Sequence, residues 1–319
     1  MKINPVKNYK ILVIRLSSFG DIILTFPFIK ELKAKFPDSQ IHFISKVEFS
    51  GIPELNPYLD KIYTVNNNLN EIRRLIKSEK YDFIFDLHKN LRSIYLSSFQ
   101  NAKVLRYKKN NLKKLLLVYL KLNLFKDIIP VYKKYLLTLR DLFENVNYEF
   151  LASELNIPET ISGPQPYIII SPSSKHFTKT YPKERFLEII NRDTSKKYIL
   201  TGSDSKKDTE ICKFLEDKSS NTTNLCGKLT IPQLAEYIKK SEYVISNDSG
   251  VMHLAEALNK PVYVFFGSTV KEFGFYPQLR SSAVFENKTI RCRPCARSGR
   301  SSCPKKHFKC MLEINQDVI

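Results

Sequence analysis

The stretch Val244-Ile-Ser-Asn-Asp-Ser-Gly-Val-Met-His-Leu-Ala-Glu-Ala-Leu-Asn-Lys-Pro-Val-Tyr-Val-Phe-Phe-Gly267 decides the fold. It opens as a short apolar strand ending at Ser246 and tightens into the turn Asn247-Asp-Ser-Gly250. A helix follows from Val251 or Met252, and Val262 to Phe266 reads as the next strand. Strand, crossover helix and strand in succession form the repeating unit of a parallel sheet covered on both faces.

The same grammar extends in both directions. Near the N-terminus, Ile11-Leu-Val-Ile-Arg-Leu16 reads as a strand, Ser17-Ser-Phe-Gly20 as a turn, and Asp21 onward as a helix. Further strands are expected at Ile41 to Ile44 and Phe83 to Leu87. Pro158 to Pro166 holds three Pro and one Gly, which suits an interdomain linker. After it the pattern restarts with Tyr167-Ile-Ile-Ile-Ser171, then strands at Tyr198 to Leu200 and Tyr243 to Ser246. Helices are expected at Lys183 to Asn191, Asp208 to Leu215, Ile231 to Lys239 and Met252 to Leu258. The fold class is therefore α/β, with two Rossmann-like domains, 1–160 and 161–319, facing a central cleft. Open sheets of this kind bind ligands beyond the carboxyl ends of their strands.

Composition narrows the classes of function. With 43% hydrophobic and 26% charged residues, the 319-residue chain has the balance of a globular protein. Its apolar runs stop far short of the roughly 18 residues that a membrane span needs. The N-terminal run, broken by Arg15 and Asp21, is not read as a secretory signal, so the expected compartment is the cytoplasm. A net charge of +19 favours an anionic partner. Between Lys103 and Arg140 stand eleven basic residues and one acid, Asp127. Leu112, Leu115, Leu116, Tyr119, Leu120, Leu122, Leu124 and Phe125 interleave with them. That pattern predicts amphipathic helices with a basic face, either lying on an anionic membrane or packed as ordinary domain helices.

Three loops carry candidate chemistry. Unpaired N–H groups at a helix start behind Ser249, Gly250 and Val251, with His253 in the first turn, suit a diphosphate. Alternatively, Asn247, Asp248 and Ser249 merely cap that helix. In Ser171-Pro-Ser-Ser-Lys-His-Phe-Thr-Lys-Thr-Tyr-Pro182, Lys179 with Ser173 and Ser174 can meet phosphate oxygens, or Lys179 is a solvated loop lysine. Asp21 can take a proton from an acceptor hydroxyl, or it only complements the helix dipole. Cys292-Arg-Pro-Cys295 followed by Cys303 and Cys310 has the spacing of a structural zinc site, with His307 as an alternative ligand and a redox-sensitive tail as the other reading. No G-x-G-x-x-G is present, which disfavours a nicotinamide oxidoreductase.

Taken together, Ile11 to Pro27, Asp86-Leu-His-Lys-Asn-Leu-Arg-Ser93, Lys179-Thr-Tyr-Pro182, Asn247 to Ala255 and Pro261 to Thr269 resemble, in order, the blocks of glycosyltransferase family 9, the lipopolysaccharide heptosyltransferases. The resemblance implies a glycosyltransferase B fold and inverting transfer without a catalytic metal. It implies Asp21 as general base, Lys179 on the donor phosphates, Asp248 near the sugar, and Ser249, Gly250 and Val251 as diphosphate contacts. Ser18, Gly20, His88 and Arg92 are the candidate acceptor-side residues. The chain departs from the family where Thr usually stands at Ser249 and Gln at His88. The implied donor is an ADP-sugar, ADP-heptose first. The implied acceptor is an anionic lipid A glycolipid at the inner membrane surface, reached as a peripheral protein, with no nucleic acid partner. Rival readings are another nucleotide sugar and glycan, or a non-catalytic membrane or nucleic-acid binder using the basic helices.

Overall fold

Apolar strands and helices alternate as expected, and the strands fall into two parallel sheets. The computed structural model describes residues 7–66, 68–150, 154–161 and 166–315; part of the expected linker, residues 162–165, lies outside them. The chain divides into two units, the first built from residues up to 109 with 131–156, the second from 110–130 with residues 157 onward.

In the first unit, β1 (Lys10–Ile14), β2 (Gln40–Lys46), β3 (Lys61–Val65), β4 (Phe83–Asp86) and β5 (Lys103–Arg106) are ordered β3-β2-β1-β4-β5, all pairs parallel. In the second, β6 (Ile168–Ser171), β7 (Tyr198–Leu200), β8 (Thr222–Asn224), β9 (Val244–Asn247), β10 (Val262–Phe266) and β11 (Ala283–Glu286) are ordered β11-β10-β9-β6-β7-β8, also parallel. The central strands β4, β6 and β9 are buried along their whole length, which is why each opens on consecutive apolar residues. The edge strands β3, β5, β8 and β11 escape sequence reading because they are short and only partly covered, and so carry no continuous apolar signal.

In each sheet the winding direction reverses once, between β1 and β4 in the first unit and between β6 and β9 in the second. Loops leaving adjacent strands at such a reversal run to opposite sides and open a crevice between their starting points. The loops after β1 and β4 carry Asp21 and His88; those after β6 and β9 carry Lys179 and Ser249.

Residues 108–140, expected as amphipathic helices with a basic face, hold two α-helices separated by an irregular stretch. A helix covers Asn111–Tyr119 and the next begins at Val131. Between them Lys121 is left-handed (φ 58°), and the Asn123 side chain accepts from Phe125 N, as in a turn. Leu117 and Val118 are buried with Phe273, and Phe125, Val270 and Phe275 pack against them. Residues 110–130 join the second unit, and the chain passes into that unit again after Asn156. The charge of residues 108–140 is not uniformly solvated. Lys114 lies over the Phe273 and Phe275 rings, Lys121 is bonded to main-chain carbonyls, and Lys134 is buried.

Glu256, buried in the helix that follows β9, accepts the backbone N–H groups of Gln278 and Leu279 at 2.7 and 2.8 Å. Burial pushes its carboxyl up from 4.5 to about 7 despite these bonds. The folded chain therefore holds a proton that the unfolded chain releases near pH 4.5, and stability present below that pH is lost as pH rises to about 7. Glu256→Gln is expected to flatten the dependence of Tm on pH between 5 and 8 and to raise Tm at pH 8. An unchanged pH slope in thermal melts would count against this.

Candidate active site

In the second unit, Asn247 ends β9 and fastens both ends of the loop after β6. Its Nδ2 donates to Pro172 O at 2.9 Å and its Oδ1 accepts from Tyr181 N at 2.8 Å. The Tyr181 ring stacks on Phe265 with centroids 3.8 Å apart, tying the loop to β10. Within the loop the short turn Phe177–Lys179 presents Lys179, whose Nζ lies 2.6 Å from Asp248 Oδ2. Asp248 Oδ2 also accepts from Thr269 Oγ1 at 2.5 Å. The pair is largely withdrawn from water, with side-chain exposures of 15% and 6%. Lys179 is therefore not a solvated loop lysine.

Nor do Asn247, Asp248 and Ser249 cap the helix Gly250–Ala257. Ser249 occupies the N-cap position without a side-chain cap bond, and its Oγ lies 3.2 Å from Ser246 Oγ. The other two side chains are engaged elsewhere. The first-turn amides are thus left without a side-chain acceptor while Ser249, Gly250 and Val251 stay half-exposed, an arrangement that favours an incoming anion. His253 is buried, its ring 6.0 Å from that of Phe275. Ser173 and Ser174 are buried too: Ser173 Oγ donates to Asp208 Oδ1 at 2.5 Å, and Ser174 offers its carbonyl to Lys207 Nζ at 2.7 Å.

Lys207 is a residue that sequence reading missed. It reaches back from the start of the helix Lys206–Glu216 to Ser174 O and Thr180 Oγ1, and burial pulls its ammonium below the usual lysine range. Burial first, then the charges of Lys179, Lys175 and Lys207, hold the His176 imidazole below its ordinary value. Lys207 thus joins the loop's own Lys175 and Lys179 around His176. In sequence, Lys207 is indistinguishable from the surface lysines around it.

In the first unit, Asp21 sits in the first turn of the helix Phe19–Ile23. Arg15 Nη2 lies 2.8 Å from Asp21 Oδ1, and Ser18 Oγ donates to Asp21 Oδ2 at 2.8 Å. Arg15 Nη1 donates to Leu87 O at 2.6 Å, linking the loops after β1 and β4. Burial pulls the Arg15 guanidinium down, but Asp21 and the Tyr135 and Tyr107 phenols outweigh it, so the group is held above its ordinary value. A fixed cation thus orients the carboxylate. Arg15 was legible only as a charge interrupting an apolar strand. Gly20 is buried under the same turn.

Beside this turn is a pocket of 380 Å³ lined by Leu16, Ser17, Lys46, His88, Asn90, Leu91 and Arg92. Asp86, fully buried, shapes it by accepting from His88 N and Lys89 N at 3.1 and 2.7 Å. His88 and Arg92 therefore share a pocket with Lys46, which the sequence reading had not singled out, while Ser18 engages Asp21.

Burial first, then Cys292 and Cys303, raises the Cys295 thiol, and burial first, then Cys295, Cys292 and Cys303, raises Cys310, so the four tail thiols lie near one another. Among the described residues no three His, Cys, Asp or Glu side chains are gathered so as to hold an ion. Cys292 Sγ lies 3.8 Å from His307 Nε2, and Cys310 is buried among the core side chains around Met311. The sequence spacing does not reveal that Cys310 turns into that core.

The two sheets with their crevice loops define a glycosyltransferase B fold. A solved glycosyltransferase family 9 protein from Veillonella parvula matches with a TM-score of 0.74 at 21% identity, covering 89% of this chain and 87% of that one. The Escherichia coli ADP-heptose lipopolysaccharide heptosyltransferase II matches with a TM-score of 0.70 at 20% identity, covering 95% and 98%. Lipopolysaccharide heptosyltransferase 1 of Campylobacter coli is 26% identical over 289 residues, 82% of this chain and 84% of that protein. Residues 69–306 match the family description glycosyltransferase family 9 (heptosyltransferase), and the chain belongs to that family. It is a glycosyltransferase.

His88 offers a test of the first-unit pocket. Burial first, then Arg15 and Lys109, lowers its imidazole from 6.5 to about 3. The unfolded chain takes up a proton near pH 6.5 that the folded chain refuses, so stability falls as pH drops from 6.5 toward 3. His88→Gln is expected to lose less Tm than the parent between pH 7 and pH 4.5. Equal losses in the two proteins would show that the ring is not desolvated as described.

Proposed function

We propose that this glycosyltransferase moves a heptose from an ADP-heptose, ADP-L-glycero-D-manno-heptose first, to the inner core of a lipid A glycolipid, with inversion at the anomeric carbon. The observation that carries the reading is the buried Lys179–Asp248 pair beside uncapped amides at the sheet reversal of the second unit. A diphosphate is the group that can use both the lysine and the helix start. The donor and acceptor are supported by the relatives, an ADP-heptose lipopolysaccharide heptosyltransferase and a lipopolysaccharide heptosyltransferase.

In this mechanism Ser249, Gly250 and Val251 receive the diphosphate, and Lys179 turns from Asp248 to its oxygens. Asp248, released from the lysine, faces the sugar hydroxyls. Asp21 takes the proton of the acceptor hydroxyl, which attacks the anomeric carbon from the face opposite the leaving ADP. Charge developing on the leaving diphosphate is met by Lys179, with Lys207 nearby, and by amide dipoles fixed in advance. A second, protonated carboxyl is therefore not required, unlike in the two-carboxylate hydrolases. The pocket with Lys46, His88 and Arg92 takes the acceptor.

The membrane side of the proposal is supported by the segment 110–130. Leu112, Tyr119, Leu120, Leu122, Leu124 and Ile128 are exposed, with Lys113 and Lys126 exposed among them. Apolar side chains at a basic surface suit an anionic bilayer interface, where each basic residue near the surface adds about 1 kcal/mol. No helix among the described residues is long and apolar enough to cross a membrane. The chain would thus meet its lipid acceptor from one side, at the inner face of the cytoplasmic membrane.

Asp21→Asn is expected to lower turnover with ADP-heptose and a lipid A glycolipid acceptor by roughly two to four decades, the range for a lost general base, while ADP still raises Tm. Full activity in the variant would refute the assignment of the base. No ADP-dependent melting shift in the parent protein would favour a mere polyanion binder.

A further inference from the structure

We infer that the Cys-rich segment 292–303 is a brace that sets the direction of Lys179, acting through Thr178 as a positioning residue; the inference rests on the donor reading above. Thr178 is buried, immediately precedes Lys179, and bonds the tail through both its main chain and its hydroxyl. Its N–H donates to Arg300 O at 3.2 Å, and its Oγ1 accepts from Arg300 N at 2.8 Å and donates to Ser268 Oγ at 3.1 Å. Its carbonyl accepts from Ser268 N at 3.2 Å.

The tail grips the other side of the site as well. Cys295 N donates to Ser268 O at 3.3 Å, and Arg293 donates to Gly267 O and Thr269 O at 2.5 and 2.9 Å. Thr269 in turn bonds Asp248, the partner of Lys179. A closed circuit therefore runs from Lys179 through Asp248, Thr269, Ser268 and Thr178 back to Lys179, and the segment holds it at three consecutive residues of the β10 end and at Thr178. Lys121 fixes the segment from behind by donating to Cys292 O and Pro294 O at 3.0 and 2.6 Å.

Two glycines mark where this contact tolerates no side chain. A Cβ on Gly267 would lie 2.8 Å from Thr178 O. One on Gly299, whose φ is +108°, would lie 2.6 Å from His176 Cβ. The physical need for a brace is plain. A lysine is a point charge on a flexible four-carbon stem, and here its backbone is a three-residue 3₁₀ turn, a weakly bonded element. Only outside contacts can hold such a turn in one direction.

The test is ADP affinity by calorimetry in Thr178→Val, which keeps the shape and removes the hydroxyl, alone and combined with Lys179→Ala. Thr178→Val, which removes the hydroxyl's bonds to Arg300 N and Ser268 Oγ, is expected to weaken ADP about tenfold and to lower kcat/KM for the donor at least as much, because Lys179 also meets the charge developing on the leaving diphosphate. Thr178→Ser should restore binding. In the Lys179→Ala background the Thr178→Val loss should vanish, because the effect passes through that lysine. Should Thr178→Val fold poorly in thermal melts, Thr178→Ala, which also removes the hydroxyl, carries the same expectation. Unchanged ADP affinity in a folded variant, or an equal loss in both backgrounds, would overturn the brace. Undiminished ADP binding in Lys179→Ala alone would overturn the donor reading beneath it.

Discussion

A lysine ammonium and an aspartate carboxylate 2.6 Å apart, both mostly out of water, fix the geometry on which the rest of the second unit depends. Such a pair has lost most of its hydration, and removing one partner leaves a buried charge uncompensated, a cost of about 3–5 kcal/mol. The pair therefore constrains everything around it. The loop after β6 has to approach the turn after β9, and Asn247 has to spend both ends of its amide on keeping it there. Thr269 has to supply the carboxylate with a hydroxyl donor. In the proposed reaction the pair opens, a diphosphate taking the ammonium and the neighbouring amides together.

The first unit repeats the principle with a different cation. Arg15, held above its ordinary pKa and anchored to Leu87 O, keeps Asp21 oriented. The same sheet reversal that brings the loops after β6 and β9 together brings those after β1 and β4 together. Topology thus supplies proximity, and a buried charge pair supplies direction. In the first unit the aspartate is the group directed, and in the second it is the lysine.

How much of this the sequence carried follows from what each element buries. The central strands announce themselves because they are covered on both faces, and Tyr198–Leu200 and Val262–Phe266 were legible to the residue. Edge strands were invisible because partial exposure removes the apolar pattern. Asp21, Lys179 and Ser249 were legible as a constellation because they follow strands that the pattern finds, and the resemblance gave them expected roles. Lys207 and Lys46 were not, since a lysine's partner is set by where its backbone ends up and nothing local marks it. Thiol spacing is likewise a local property, and it does not show that Cys310 is buried in the core around Met311. The run from Leu120 to Pro130 kept helical composition but lost the helix to the left-handed Lys121.

The most direct measurement is a structure of the protein determined with ADP bound. The account predicts the diphosphate on the amides of Gly250 and Val251, with Lys179 Nζ moved off Asp248 onto a phosphate oxygen. ADP bound elsewhere, with the Lys179–Asp248 contact still closed, would contradict it.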